Sequence, residues 1–253
     1  MSRWSWLAIG VGLYLAFTVA MFPAGVALRW FAPQGVTFAG VAGTLWSGSA
    51  ATCSVGGFSL EAVRWRLRPT SLFLGRVSAN VDARIPDGFV RGDVTASSSS
   101  VRLSDFQGAT SLPALDGVLP PVLRGMRGQA SVALESLVLE NGWPSAISGE
   151  LKLAGLETPP PLIYGKSSLV ALGNYTATFV PAPQGQIAAK VVDNGGPLEV
   201  AGTVGLDTAR AYTIDALVKP RAEAPEMLAE GLEGMTGEPD AEGRYHFNEM
   251  GTL

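Results

Sequence analysis

Residues 76–85 read Arg76-Val77-Ser78-Ala79-Asn80-Val81-Asp82-Ala83-Arg84-Ile85. Val77, Ala79, Val81, Ala83 and Ile85 alternate with five polar or charged side chains. A strand turns successive side chains to opposite faces, so this period of two describes a strand with one buried face. Pro86-Asp87-Gly88 follows as a turn signal.

The same grammar recurs downstream. Ala130, Val132 and Leu134 alternate, then Leu137 and Leu139 continue on a shifted phase after Ser136, the mark of a bulge. Tyr175-Ala177-Phe179, Ile187-Ala189-Val191, Leu198-Val200…Val204-Leu206 and Tyr212-Ile214-Ala216-Val218 form further sets. Asn141-Gly142, Pro183-Gln184-Gly185 and Asn194-Gly195-Gly196 punctuate them. Nothing supplies the long helices of parallel crossovers. The expected fold is therefore mainly β: a curved, mostly antiparallel, partly open sheet. One short helix is expected at Ala222–Met235, with Met227, Leu228, Leu232 and Met235 as its apolar stripe and Gly237 as its stop. Ser97–Ser100 suits a polar edge strand or a loop, and Pro159-Pro160-Pro161 is a stiff element that could divide two sheet halves.

Ahead of the strands, Trp4 to Leu28 is a run of 25 residues without a charge, between Arg3 and Arg29. About 20 apolar residues in helix cross a bilayer core; Pro23 would kink or end the helix, but neighbouring apolar residues can carry the span onward. Trp4, Trp6 and Trp30 stand where an aromatic belt belongs. A cleaved signal peptide is the competing reading, with Gly25-Val26-Ala27 as its cleavage site, but the apolar core outruns the usual 7–15 residues. The expectation is an uncleaved transmembrane helix within residues 1–30, N-terminus inside, and a periplasmic β domain over residues 31–253. Only Ala32-Pro33-Gln34-Gly35 intervenes, so the sheet should begin near the membrane surface.

Composition narrows the function. Charged residues are 16% of the 253, against about 25% in ordinary soluble domains, and the formal net charge is -4. High hydrophobicity argues against disorder, and the lack of a basic excess argues against a nucleic-acid partner. Chemistry is scarce. Cys53 is the single cysteine and reads as a small buried apolar side chain. His246 is the single histidine, so metal ligands and a nucleophilic triad have little to draw on. Gly165-Lys166-Ser167 resembles the end of a phosphate loop, but Pro160 stands where that loop needs glycine. No catalytic, cofactor or metal residue is expected. Arg64, Arg66 and Arg68 share one strand face: either a solvated edge, or a contact for anionic headgroups or an acidic partner. Trp46 and Trp65, near turns, are expected to anchor the packing.

Several segments, taken in order, carry a resemblance. They are Val41-Ala42-Gly43-Thr44-Leu45-Trp46-Ser47-Gly48-Ser49-Ala50, then Leu60 and Val63-Arg64-Trp65-Arg66-Leu67-Arg68-Pro69 with Leu72-Phe73-Leu74-Gly75, then Asp193-Asn194-Gly195-Gly196-Pro197-Leu198 followed by Gly202, then Lys219-Pro220-Arg221, Gly243-Arg244-Tyr245 and Gly251-Thr252-Leu253. The set resembles the protein N family of the type II secretion system, also written GspN, general secretion pathway protein N. The family's usual L-G-x-P-D is only approximated by Met235-Thr236-Gly237-Glu238-Pro239-Asp240. The resemblance implies a non-enzymatic, single-pass inner-membrane protein with its bulk in the periplasm. It would work beside other platform subunits in the export of folded proteins across the outer membrane. The alternative is a lipid-binding or lipid-transfer module. Single-span proteins of the AsmA/TamB type share the repetitive strands, and an apolar groove would be the distinguishing feature.

Overall fold

The computed structural model describes residues 3–31, 35–56, 58–117, 119, 124–159, 169–180, 182 and 186–252. Two helices open the chain, α1 (Arg3–Ala20) and α2 (Ala24–Phe31). The strands are β1 (Val36–Ala39), β2 (Ala42–Gly43), β3 (Ser47–Val55), β4 (Phe58–Leu67), β5 (Val77–Ile85), β6 (Gly88–Ala96), β7 (Ser100–Ser111), β8 (Arg127–Glu140), β9 (Trp143–Thr158), β10 (Val170–Val180), β11 (Ile187–Asp193), β12 (Leu198–Leu206), β13 (Ala211–Pro220) and β14 (Tyr245–Thr252). A short helix α3 (Pro69–Leu72) joins β4 to β5, and α4 (Glu226–Thr236) joins β13 to β14.

Every strand pairs antiparallel, and from β3 to β14 each pairs with its successor. β1 and β2 share one flank of β3, interrupted at Gly40, which adopts φ 62° and accepts the Ala51 N–H. The outer edges of β1 and β14 do not pair with each other, so the sheet is open. Strand limits follow the alternation closely: β5 begins and ends at Val77 and Ile85. The register slips between Leu134 and Ser136, where the phase change pointed to a bulge. Asn141 and Gly142 both take positive φ, 52° and 78°, as a two-residue hairpin turn requires.

Register places the apolar residues of all strands on one face. Trp65 pairs with Val81, Ala83 with Val90, Leu103 with Leu137, Val132 with Leu151, Ala189 with Val204, and Val200 with Val218. Among the described residues no second layer of strands covers that face. Its best-covered part is near the N-terminal end, where Ala50, Cys53, Val63 and Ala83 are buried under Phe38, Leu60 and Trp65. Burial pushes the Cys53 thiol up, which suppresses the reactive thiolate. The accessible surface is 16113 Å². A compact 26.3 kDa monomer would expose about 10,600 Å². A single-layer sheet leaves that excess.

The sheet is curved. Strands β8 and β12 stand four spacings apart, about 19 Å in a flat sheet. Yet Leu137, Ile147, Phe179, Ile187, Val204 and Leu206 line one apolar trough of about 390 Å³ spanning β8 to β12. At one end the Arg210 guanidinium lies 4.9 Å from the Trp143 ring centroid.

The structure corrects two expectations and, at a third place, selects one of two alternatives. The uncharged run from Trp4 to Leu28 is not one helix. It breaks at Met21–Pro23, and among the described residues no helix is long and apolar enough to cross a membrane. Pro23 cannot extend α1, and its neighbourhood is recruited by the sheet instead: the Leu45 N–H donates to the Phe22 carbonyl at 2.8 Å and Pro23 bridges Thr44. Ala24 and Ala27 of α2 are then buried rather than offered to lipid. Second, of the two readings of Ser97–Ser100 the loop is the one found: it is the β6–β7 turn, closed by the Ser97 N–H on the Ser100 carbonyl at 2.8 Å. Third, the C-terminal helix starts at Glu226, four residues late, because Pro225 takes an extended ψ of 135° at its N-cap. Gly237 does end it. The helix leans on β14 with Met227, Leu228 and Leu232 half-buried, while Met235 is 71% exposed.

Pro160, Pro161, the Gly165-Lys166-Ser167 segment, Pro183-Gln184-Gly185 and Ala32-Pro33-Gln34 lie outside the described residues. β9 and β10 nonetheless pair directly, so the sheet continues across the proline segment.

Candidate functional site

The corner where α1 meets the sheet gathers most of the residues singled out from sequence. Trp46 sits in the turn before β3. Its Nε1 donates to the Val19 carbonyl in the last turn of α1 at 2.8 Å, an oxygen that also accepts the Phe22 N–H at 3.3 Å. Its own carbonyl accepts the Leu67 N–H at 2.7 Å. Trp65 Nε1 donates to the Leu45 carbonyl at 3.1 Å. The Trp65 indole lies against Gly48, where a Cβ would come 2.4 Å from the ring. The glycine of the Trp46-Ser47-Gly48 segment thus makes room for the tryptophan of β4. The two indoles tie α1, the Thr44–Trp46 turn and β4 together.

Arg64 and Arg66 share the polar face of β4 and Arg68 follows one residue past its end, but β4 is an interior strand between β3 and β5, not an edge. Arg64 and Arg66 are exposed and line an open polar hollow of about 500 Å³ with Ser47, Asn80 and Asp82. Arg68 donates to Asp93 at 3.0 Å yet keeps 61% of its side chain exposed.

α1 presents apolar side chains on all sides. Ile9, Val11, Leu13, Tyr14, Leu15, Phe17 and Val19 are 46–70% exposed. Leu15, Val19 and Ala20 border a second hollow, about 790 Å³ and almost wholly apolar, whose far wall is Trp46, Pro69, Leu72 and Phe73. In the sequence that turn stands out only as part of a motif segment, Leu72-Phe73-Leu74-Gly75. Charge distribution could have flagged it. Residues 1–81 hold six basic side chains and one acidic, net +5, whereas residues 82–253 are net -9.

A second cluster joins two of the motif segments. Arg221 Nη2 donates to Asp193 Oδ2 at 2.7 Å, and its Nη1 to the Gly196 and Leu198 carbonyls at 2.7 and 3.2 Å. Asp193 also accepts the N–H groups of Val200 and Gly195. Burial works to raise the Asp193 carboxyl, but Arg221 and those N–H groups outweigh it and hold it below the usual carboxylate range. Burial, with the charge of Asp193 behind it, pushes the neighbouring Tyr175 phenol up to about 12. The cluster locks the β11–β12 turn to the end of β13.

His246 Nε2 lies 3.0 Å from Asp215 Oδ1, both side chains 60% exposed. Among the described residues no three His, Cys, Asp or Glu side chains are grouped to hold a metal ion.

The protein N model of the type II secretion system (T2SS) matches residues 34–248, from just before β1 into β14. The chain belongs to that family. Two curated relatives carry the name type II secretion system protein N. The one from Vibrio cholerae is 29% identical over 260 residues, covering 97% of this chain and 99% of its own. The one from Aeromonas hydrophila is 28% identical over 255 residues, covering 95% and 94%. No solved structure matches the chain. As a protein N, the chain is a component of a type II secretion system, and association with other components of that system follows.

Proposed function

We propose that this protein N is a non-enzymatic platform component, held at the bacterial inner membrane through α1, with its sheet in the periplasm. There it assists the export of folded periplasmic proteins across the outer membrane. The observation that carries the reading is α1 itself: an exposed apolar helix fastened to a β domain by Trp46 and the Pro23–Thr44 bridge. Water is a poor solvent for so continuous an apolar surface, and a lipid phase is its natural one. The open edges of β1 and β14 suit contact with platform subunits by strand addition. Deletion of the gene, with a folded exoprotein assayed in periplasm and medium, tests the role. Retention in the periplasm, reversed by re-expression, supports it; unaltered secretion refutes it.

The apolar trough favours a second reading, in which the curved face holds a lipid chain. A photoreactive side chain at Phe179 in the full-length protein should then crosslink to lipid in cells. Crosslinks to protein alone count against it.

A further inference from the structure

We propose that the β4–β5 turn is a second membrane contact, in which Leu72, Phe73 and Leu74 enter the headgroup–acyl boundary of an anionic bilayer beside α1. This rests on the reading that α1 lies in the membrane.

Leu72, Phe73 and Leu74 are 42, 91 and 75% exposed. Single exposed apolar residues are ordinary, but three in a row on one turn are not. The turn is pre-formed: Leu74 N–H and Arg76 N–H both donate to the Ser71 carbonyl, Gly75 N–H donates to Leu72, and Ser71 Oγ donates to the Arg68 carbonyl. Order of that kind holds the three side chains out in water unless something covers them.

Depth identifies the cover. Leu72 and Phe73 face Leu15, Val19 and Ala20 across one hollow. Leu15 precedes the end of α1 by five residues, about 7.5 Å along a helix axis. Interfacial apolar faces settle about 5–10 Å into the headgroup–acyl boundary. If α1 is in lipid to its last turn, the tip of the β4–β5 turn is in the boundary.

Charge agrees. From Ala62 to Val81 there are four arginines and no acidic residue, in a chain of net charge -4. Arg76 and Arg68 bracket the apolar tip and both are exposed, Arg68 while also meeting Asp93 at 3.0 Å. Basic residues just outside an apolar insertion are placed to meet anionic headgroups. With two contacts, α1 and the tip, the sheet is held in one orientation over the membrane rather than swinging about the Met21–Pro23 break.

The test uses the full-length chain carrying Cys53→Ala and one new cysteine labelled with an environment-sensitive fluorophore. The label sites are Phe73→Cys, Leu13→Cys in α1, and Lys190→Cys on the polar face. Each is reconstituted in phosphatidylethanolamine–phosphatidylglycerol vesicles containing spin-labelled lipid. The expected result is blue-shifted, lipid-quenched emission at 73 and 13 and neither at 190, with quenching at 73 at least halved in phosphatidylcholine. Lipid quenching at 13 with a solvent-like signal at 73 overturns the second contact and leaves α1 in the membrane. A solvent-like signal at 13 overturns the α1 reading and this inference with it. Shielding at 73 that needs other secretion subunits and escapes lipid quenching assigns the tip to a protein partner and overturns the proposal.

Discussion

Trp46 and Val19, 27 residues apart, are joined by an indole N–H donated to a helix-end carbonyl at 2.8 Å. Val19 sits in the last turn of α1, and Trp46 precedes the third strand. That bond and the adjacent Leu45–Phe22 and Pro23–Thr44 contacts carry the connection from apolar helix to sheet. Trp46→Phe keeps most of the apolar area and removes the bond, worth about 1 kcal/mol. The helix end should fray, and limited proteolysis near Phe22–Gly25 should speed up several-fold while sheet stability changes little. An unchanged cleavage rate would mean that the backbone bridges suffice.

Gly48 and Trp65 make a second dependent pair. At Gly48→Val a branched side chain meets the indole, and either the ring leaves or β3 moves. Overpacking costs about 1–3 kcal/mol. A fall of that size in denaturant unfolding, with more exposed tryptophan fluorescence, is expected. Gly56→Ala, in open space at φ 57°, loses only the backbone preference and serves as the control.

The Asp193–Arg221 bridge gives stability a pH dependence. The carboxyl is held below its ordinary value in the folded state, so below about pH 4 the unfolded chain binds the extra proton. The stabilisation is therefore complete above that pH and is lost as pH falls toward the folded value. Asp193→Asn leaves Arg221 and the Val200 N–H poorly met, with Asp193 only 11% exposed in the native protein. A loss of about 2 kcal/mol at pH 7 is expected, shrinking in acid. Thermal melts at pH 7 and pH 3.5 measure both numbers; equal losses at the two would refute the account.

His246→Ala should leave exoprotein secretion intact. The side chain is exposed and its bond to Asp215 lies on the polar face, so stability should change by less than about 0.5 kcal/mol. Loss of secretion by a folded variant would reopen the question of catalysis.

Cys53 should resist thiol reagents in the native protein and react on unfolding. It is 4% exposed beneath Phe38 and Leu60, with its thiol raised by burial. Rapid native labelling would place the opening of β1 at much lower cost than its packing suggests.

Local chemistry alone was enough to read the strands. Period-two alternation marked β5 to its end residues, a phase change after Ser136 marked a bulge in β8, and Asn141-Gly142 marked its hairpin. These signals work at short range, because side-chain direction in a strand depends only on position parity. Antiparallel pairing followed from the short turns between the strands. The family was legible too, from segments scattered through the chain. Asp193 and Arg221 belong to two of those segments, and their meeting in space was not legible.

The fate of residues 4–28 needed the tertiary structure. Hydropathy sees an unbroken apolar run there. Pro23 marks locally where a helix kinks or ends; what holds the chain there to the sheet is the pairing of Phe22 and Pro23 backbone groups with Leu45 and Thr44, which only the folded sheet brings near. The same holds for Arg64, Arg66 and Arg68. Parity put them on one face, but which strand is an edge is decided by β3 and β5 pairing on either side. Curvature is also tertiary: the trough and the Arg210–Trp143 stack sum the twist of many strands. The proximity of Leu72 and Phe73 to α1 joins segments more than fifty residues apart, a relation that no local pattern encodes.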